Sequence, residues 1–188
     1  MGTRLTALDA FRGMTIAGML LVNNPGTWAA IYPPLEHAPW HGWTPTDLIF
    51  PFFVFIVGVT THLSLSARAR QGASSAAITA QILRRGGLII LLGLLLHAFP
   101  FFPWSRIAGL RFPGVLQRIG ACYIAAALLA RGRSSREVAG ITGLLLVLYW
   151  GVQALIAPPG VAVPTIDVPS DTFSAWLDRA VFGRHLWQ

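Results

Sequence analysis

Two histidines, two tryptophans, two prolines and an aspartate fall within eleven residues, His37 to Asp47, in the order H-A-P-W-H-G-W-T-P-T-D. A neutral imidazole accepts a proton near pH 7, and loops held by rigid scaffolds often carry chemistry. Two readings of this stretch stand side by side. It is a titratable loop with a chemical task, or it is an aromatic belt in which Trp40 and Trp43 anchor a helix end and His37 and His41 are bystanders. The stretch is too polar and too broken by proline to lie in lipid. Residues 48–67 then run for twenty positions without a formal charge, enough for a helix to cross the ~30 Å hydrocarbon core.

The elements that must position this loop follow from composition. The 188-residue chain is 54% hydrophobic and only 11% charged, with mean hydropathy +0.61. Soluble domains carry about 25% charged residues, so this is an integral membrane protein. The fold class expected is all-α: a polytopic membrane helix bundle of about five spans in one domain over residues 1–188, near 5–24, 47–67, 78–99, 113–130 and 138–157. The tail 158–188 holds no further span, and 171–182 can form a short amphipathic helix on the membrane surface. The net charge of +7 rests on fourteen arginines without a lysine. They sit between apolar runs, which argues for orientation in the bilayer and against a nucleic-acid partner. The single Cys122 excludes a disulfide framework and a cysteine metal cluster, and no metal is expected.

Arginine-rich segments alternate with arginine-poor ones. The 25–46 loop has Glu36 and no arginine; 68–85 has Arg68, Arg70, Arg84 and Arg85; 131–137 has Arg131, Arg133 and Arg136. The positive-inside rule then puts the N-terminus in the cytoplasm. The His37 loop, the 100–112 loop with Arg106 and Arg111, and the tail face outward. Within the spans, Asp9, Arg12, Gly13, Ile16, Leu20 and Asn23 share one helical stripe, and Asp9 and Arg12 are spaced to pair. Asp47, Pro51, Val54, Gly58, Thr61 and His62 form a second stripe, and Gly86, Gly93 and His97 a third. Small residues permit close helix approach, so these stripes are expected to face one another. Arg118, with a span starting near Pro113, is expected about a turn and a half deep, able to hold an anionic ligand group or a carboxylate such as Asp47.

Five stretches in order resemble the transmembrane acyltransferase family typified by heparan-α-glucosaminide N-acetyltransferase. They are L-D-A-F-R-G at 8–13, V-N at 22–23, H-A-P-W-H-G-W-T at 37–44, D-L-I-F-P-F-F-V-F-I-V-G at 47–58 and R-F-P-G-V-L-Q-R-I-G at 111–120. W-L-D-R-A-V-F-G at 176–183 extends the likeness loosely to the tail. The resemblance implies transfer of an acetyl group from cytoplasmic acetyl-CoA to an amino sugar or glycan on the far side. The family has roughly ten or eleven spans, so the chain is expected to be the N-terminal half of a larger fold. The family's catalytic histidine maps onto His37, its Asn at the end of the first helix onto Asn23, and its D-x-F-R-G motif onto Asp9 and Arg12.

Acyl transfer needs a base, an oxyanion stabiliser and an aligned donor. His37 is assigned as the base or the acyl-accepting nucleophile. Asn23 is assigned to donate to the carbonyl or to orient His37, and Asp47 to fix the imidazole tautomer. Arg68, Arg70, Arg84 and Arg85 would meet the CoA phosphates at the cytoplasmic mouth, with Arg118 a deeper candidate. The expected partners are the lipid bilayer, acetyl-CoA and a sugar or glycan acceptor; a homo-oligomer is compatible, and a bacterial inner (plasma) membrane is the expected location. The rival readings are a transporter or flippase and a non-catalytic membrane subunit.

Overall fold

The computed structural model describes residues 5–101, 104, 107 and 109–186. Arg106 of the 100–112 loop and the last two residues of the tail lie outside these. Regular structure among the described residues is helical: α1 (Thr6–Val22), α2 (Pro45–Arg70), α3 (Ser75–Ala98), α4 (Val115–Ala130), α5 (Ser135–Leu155) and α6 (Phe173–Phe182), with 3-10 turns at Pro33–Leu35, Pro169–Asp171 and Gly183–His185. Helices α1 to α5 overlap the five stretches expected as spans, with ends shifted by up to three residues, and α6 falls within 171–182. By length and apolarity, α2, α3 and α5 can each cross a membrane. Helices α1 and α4, with 17 and 16 residues, reach only about 25 Å.

The chain divides into two compact units, Met1–Ala67 and Arg68–Gln188. In the first unit, the Phe11 ring of α1 meets Phe52 of α2, with centroids 5.5 Å apart. Farther along α1, Gly18 lies against Ile49. The contacts run in opposite order along the two helices, so α1 and α2 are antiparallel. The C-terminal end of α1, with Asn23, therefore lies at the end of the unit where α2 begins. Asp9 and Arg12 lie at the other end, paired at 3.6 Å.

In the second unit, α3 and α4 pack closely. A Cβ on Gly86 would come 2.3 Å from Ile124 Cγ1 and 3.0 Å from the Gly120 carbonyl oxygen. One on Gly120 would sit 2.8 Å from the Gly86 carbonyl oxygen. Lipid supplies no hydrophobic force between helices, and glycine lets two backbones touch so that dispersion holds them. The buried apolar side chains Ile78, Ile82, Ile119, Tyr123 and Ala127 belong to this helix pair. The third predicted stripe, Gly86, Gly93 and His97, thus faces α4. Gly93 meets Leu116 and Gln117, and Gly114 meets His97 and Gln117. At the opposite end of the pair, Arg131 donates to the Ser75 carbonyl oxygen at 3.0 Å and to Thr79 Oγ1. The α4–α5 turn and the start of α3 therefore share one end of the unit, as antiparallel spans require.

Helix α5 begins with a capping box between Ser134 and Glu137, which satisfies N–H groups that the helix cannot. Its seven residues Leu144 to Trp150 are each more than half exposed. They cover every direction around the axis, a surface suited to acyl chains and not to water. The buried Gln153 near its end donates to Ser174 Oγ at 2.8 Å and accepts the Ser174 N–H at 3.2 Å, docking α6.

Candidate active site

The N-terminus of α2 organises the loop before it. Pro45 opens the helix, where a missing N–H has no intrahelical partner to lose. Asp47, in the first turn, folds its carboxylate back over that end. Oδ2 accepts the Thr44 N–H at 2.9 Å and the Ala38 N–H at 3.1 Å. The Thr44 bond is half of a capping box. The Ala38 bond comes from the far side of the loop. One oxygen thus fastens both ends of 38–44, and residues 39–43 form a small closed loop, turned by Gly42 at φ +95°, where glycine carries no steric cost. The Thr44 hydroxyl has one proton and two acceptors, the Glu36 carbonyl oxygen at 2.5 Å and Asp47 Oδ2 at 3.2 Å; it donates to the nearer carbonyl. Thr46 Oγ1 ties the helix start to the Pro34 carbonyl oxygen at 3.2 Å.

The other carboxylate oxygen, Oδ1, lies 2.6 Å from His37 Nδ1. In the neutral ring this bond keeps the hydrogen on Nδ1 and leaves the lone pair on Nε2. The His37 side chain is 68% exposed and that of Asp47 27%. The reactive nitrogen is reachable, and the carboxylate is screened behind it. A carboxylate so placed orients the ring and stabilises the imidazolium once a proton arrives. His41, four residues on, instead sets its ring edge-on to Trp40, centroids 6.3 Å apart.

The remaining candidates are dispersed. Asn23 caps α1 and donates its side-chain N–H to the Met19 carbonyl oxygen at 2.8 Å. It lies at the same end of its unit as His37, and among the described residues no hydrogen bond joins the two. Arg68 and Arg70 are exposed in the last turn of α2. Arg84 and Arg85, expected at the entry of the third span, stand about 14 Å along α3, which begins at Ser75. The Arg85 guanidinium lies over the Tyr123 ring, 5.5 Å from its centroid.

Arg118 departs furthest from expectation. Helix α4 begins at Val115, not at Pro113, so Arg118 is in its first turn. Its side chain is 58% exposed and lies 3.8 Å from Asp178 of α6. Its carboxylate neighbour within this unit is therefore Asp178 of the tail. It also stands at the end of α4 opposite the arginine-rich turn. Burial, and then the like charge of Arg118, lower the pKa of nearby Arg111 from its ordinary value.

Two glutamines escaped the sequence reading. Gln117 is buried between Gly93 and Gly114, and its amide nitrogen reaches the Arg111 carbonyl oxygen at 3.5 Å. His97 does not need it, since its Nδ1–H donates to the Gly93 carbonyl oxygen at 2.8 Å. Gln153 was legible only as a single polar residue in an apolar run, and Gln117 only as the polar neighbour of Arg118.

A sequence model of the family "Heparan-alpha-glucosaminide N-acetyltransferase, catalytic" matches residues 4–171. The chain is 35% identical over 182 residues to human heparan-alpha-glucosaminide N-acetyltransferase, covering 84% of this chain and 26% of the human protein. It is 35% identical over 130 residues to the mouse protein of that name, covering 67% of this chain and 19% of the mouse one. The chain spans about a quarter or less of the length of these relatives. A match over most of the chain, with helices apolar enough to span a bilayer, makes this protein a member of the heparan-alpha-glucosaminide N-acetyltransferase family of membrane acetyltransferases.

Proposed function

We propose that the chain carries the catalytic base of a membrane-embedded acetyltransferase. It moves an acetyl group from cytoplasmic acetyl-CoA to an amino sugar or glycan on the extracytoplasmic side, in a bacterial inner membrane with the N-terminus cytoplasmic. The observation that carries this reading is the His37–Asp47 pair at 2.6 Å with Nε2 left open. Nε2 removes the proton from the neutral acceptor amine or hydroxyl as it attacks the acetyl carbonyl; the C–S bond then breaks, and the departing CoA thiolate takes up the proton from the imidazolium. Asp47 holds the ring in register and offsets the positive charge. Asn23, at the same end, supplies an N–H to the carbonyl oxygen.

Exposed Arg68, Arg70 and Arg84 have no acidic partner among the described residues. With Arg85, they are the chain's cations for the phosphates of the donor. Arg118, held by Asp178 at the other end of its unit, is the least suited of that set. Asp9 and Arg12 form an ion pair at the donor end of α1.

The test is single-residue substitution in purified protein in detergent. His37→Ala should lower acetyl transfer from acetyl-CoA to glucosamine by ~10²–10⁴-fold, and His41→Ala should retain most of it. Equal losses in the two variants would remove His37 from its role. A protein that consumes no acetyl-CoA without two compartments would point to transport.

A further inference from the structure

We propose that the closed loop 39–43 is the docking platform for the acceptor, with Trp40 and Trp43 stacking on the pyranose ring and Glu36 meeting its ammonium group. The inference rests on the acetyltransferase reading for the identity of the sugar and not for the geometry. Ala38 and Thr44 both donate to Asp47 Oδ2, so the two ends of the loop are adjacent, and His37 is bound to the other oxygen of that carboxylate. The loop therefore springs from the same point as the imidazole, and with five residues it cannot carry its side chains far. Trp40 and Trp43 are 48% and 69% exposed on it.

Two features select a cationic sugar over a lipid surface. A segment that inserts into acyl chains mixes its tryptophans with aliphatic residues and flanks them with cations. Here the residues from 39 to 44 are Pro, Trp, His, Gly, Trp and Thr, without an aliphatic chain. The 25–46 loop has no arginine in a chain with fourteen, and its one acidic residue is Glu36. Glu36 is exposed and directly precedes His37. Anionic headgroups would be repelled by that carboxylate, whereas an amino sugar is attracted. The C–H face of a pyranose, weakly positive and apolar, matches the negative face of an indole. Its polar rim is left for Glu36 and for His37 Nε2.

Equilibrium binding tests this without relying on turnover. The β1→4-linked glucosamine dimer is titrated calorimetrically into the protein in phosphatidylcholine nanodiscs, with no acetyl-CoA present. Trp40→Ala and Trp43→Ala should each weaken binding about fivefold to tenfold, and Trp→Phe at either position should restore most of it. Trp28→Ala, whose ring is outside the closed loop, should bind like wild type. Glu36→Gln should weaken the dimer and leave the neutral N,N′-diacetylated dimer unchanged. Wild-type affinity in both tryptophan variants, equal losses in all three tryptophan variants, or no dimer binding by the wild type would each overturn the proposal. Tryptophan-dependent binding by a protein that transfers no acetyl group would support it and sink only the acetyltransferase reading.

Discussion

At the scale of the residue, Asp47 does two tasks with two oxygens. Oδ2 holds the Thr44 and Ala38 amides, and Oδ1 holds His37. The tasks are separable by mutation. Asp47→Asn keeps an oxygen that can accept an amide and loses the charge that favours the imidazolium. It should lower turnover by ~10²-fold or more, in the manner of a triad aspartate, with a small change in thermal stability. Asp47→Ala loses the cap as well and should cost about 1 kcal/mol in addition. Steady-state kinetics and thermal unfolding in detergent check both; wild-type turnover in Asp47→Asn would show that the carboxylate is only a cap. Part of this was legible beforehand. Threonine three residues before an aspartate, with proline between, reads as a helix start, and imidazole with carboxylate in one loop reads as a pair. The Ala38 bond was not legible, because it depends on how the chain turns at Gly42, and no local pattern encodes that closure.

At the scale of the element, the spans could be read from hydropathy because the bilayer imposes a length on them. Their starts could not: a helix can begin outside the apolar run, as α3 does at Ser75, and this sets Arg84 and Arg85 deeper along the helix than the expected entry of the span. Glycine positions announced close packing without naming the partner helix, since a small-residue stripe fits any neighbour of complementary shape. The structure distinguishes glycines that matter from those that do not. Gly120→Ala places a methyl 2.8 Å from the Gly86 carbonyl oxygen and 2.7 Å from Ile90 Cγ1, and should destabilise by ~1–3 kcal/mol. Gly140→Ala meets nothing within 4 Å in the middle of α5's first half and should be neutral or stabilising by up to ~1 kcal/mol. Thermal unfolding of the two variants in one detergent gives the comparison, and equal shifts would mean that α3 and α4 do not touch at Gly120.

At the scale of the whole molecule, the arginine count by loop sets a sidedness that labelling can read. In a Cys122→Ala background, Thr27→Cys should react with an impermeant thiol reagent in intact cells and Ser134→Cys should not; the reverse pattern would invert the proposed topology. The Arg131 bonds to Ser75 and Thr79 agree with this alternation, as they put two arginine-rich turns at one end of the second unit. The partner of Arg118 was beyond the sequence, because Asp178 is sixty residues away and reaches it through the docking of the tail, by Gln153 at Ser174 and by His185 at Leu110. Composition located the charge, and tertiary packing chose its neighbour.

The closure of loop 39–43 onto the first turn of α2 couples two events that most sites keep apart. Winding the turn and orienting the His37 imidazole are one cooperative step, because both draw on the same carboxylate. If that turn frays, the imidazole loses its orienting charge and the loop loses the bonds that close it. On the proposed reading this coupling is a safety catch. If His37 is the base proposed above, its ring is oriented only while that helix turn is wound, and its idle chemistry is limited by the local stability of a single turn.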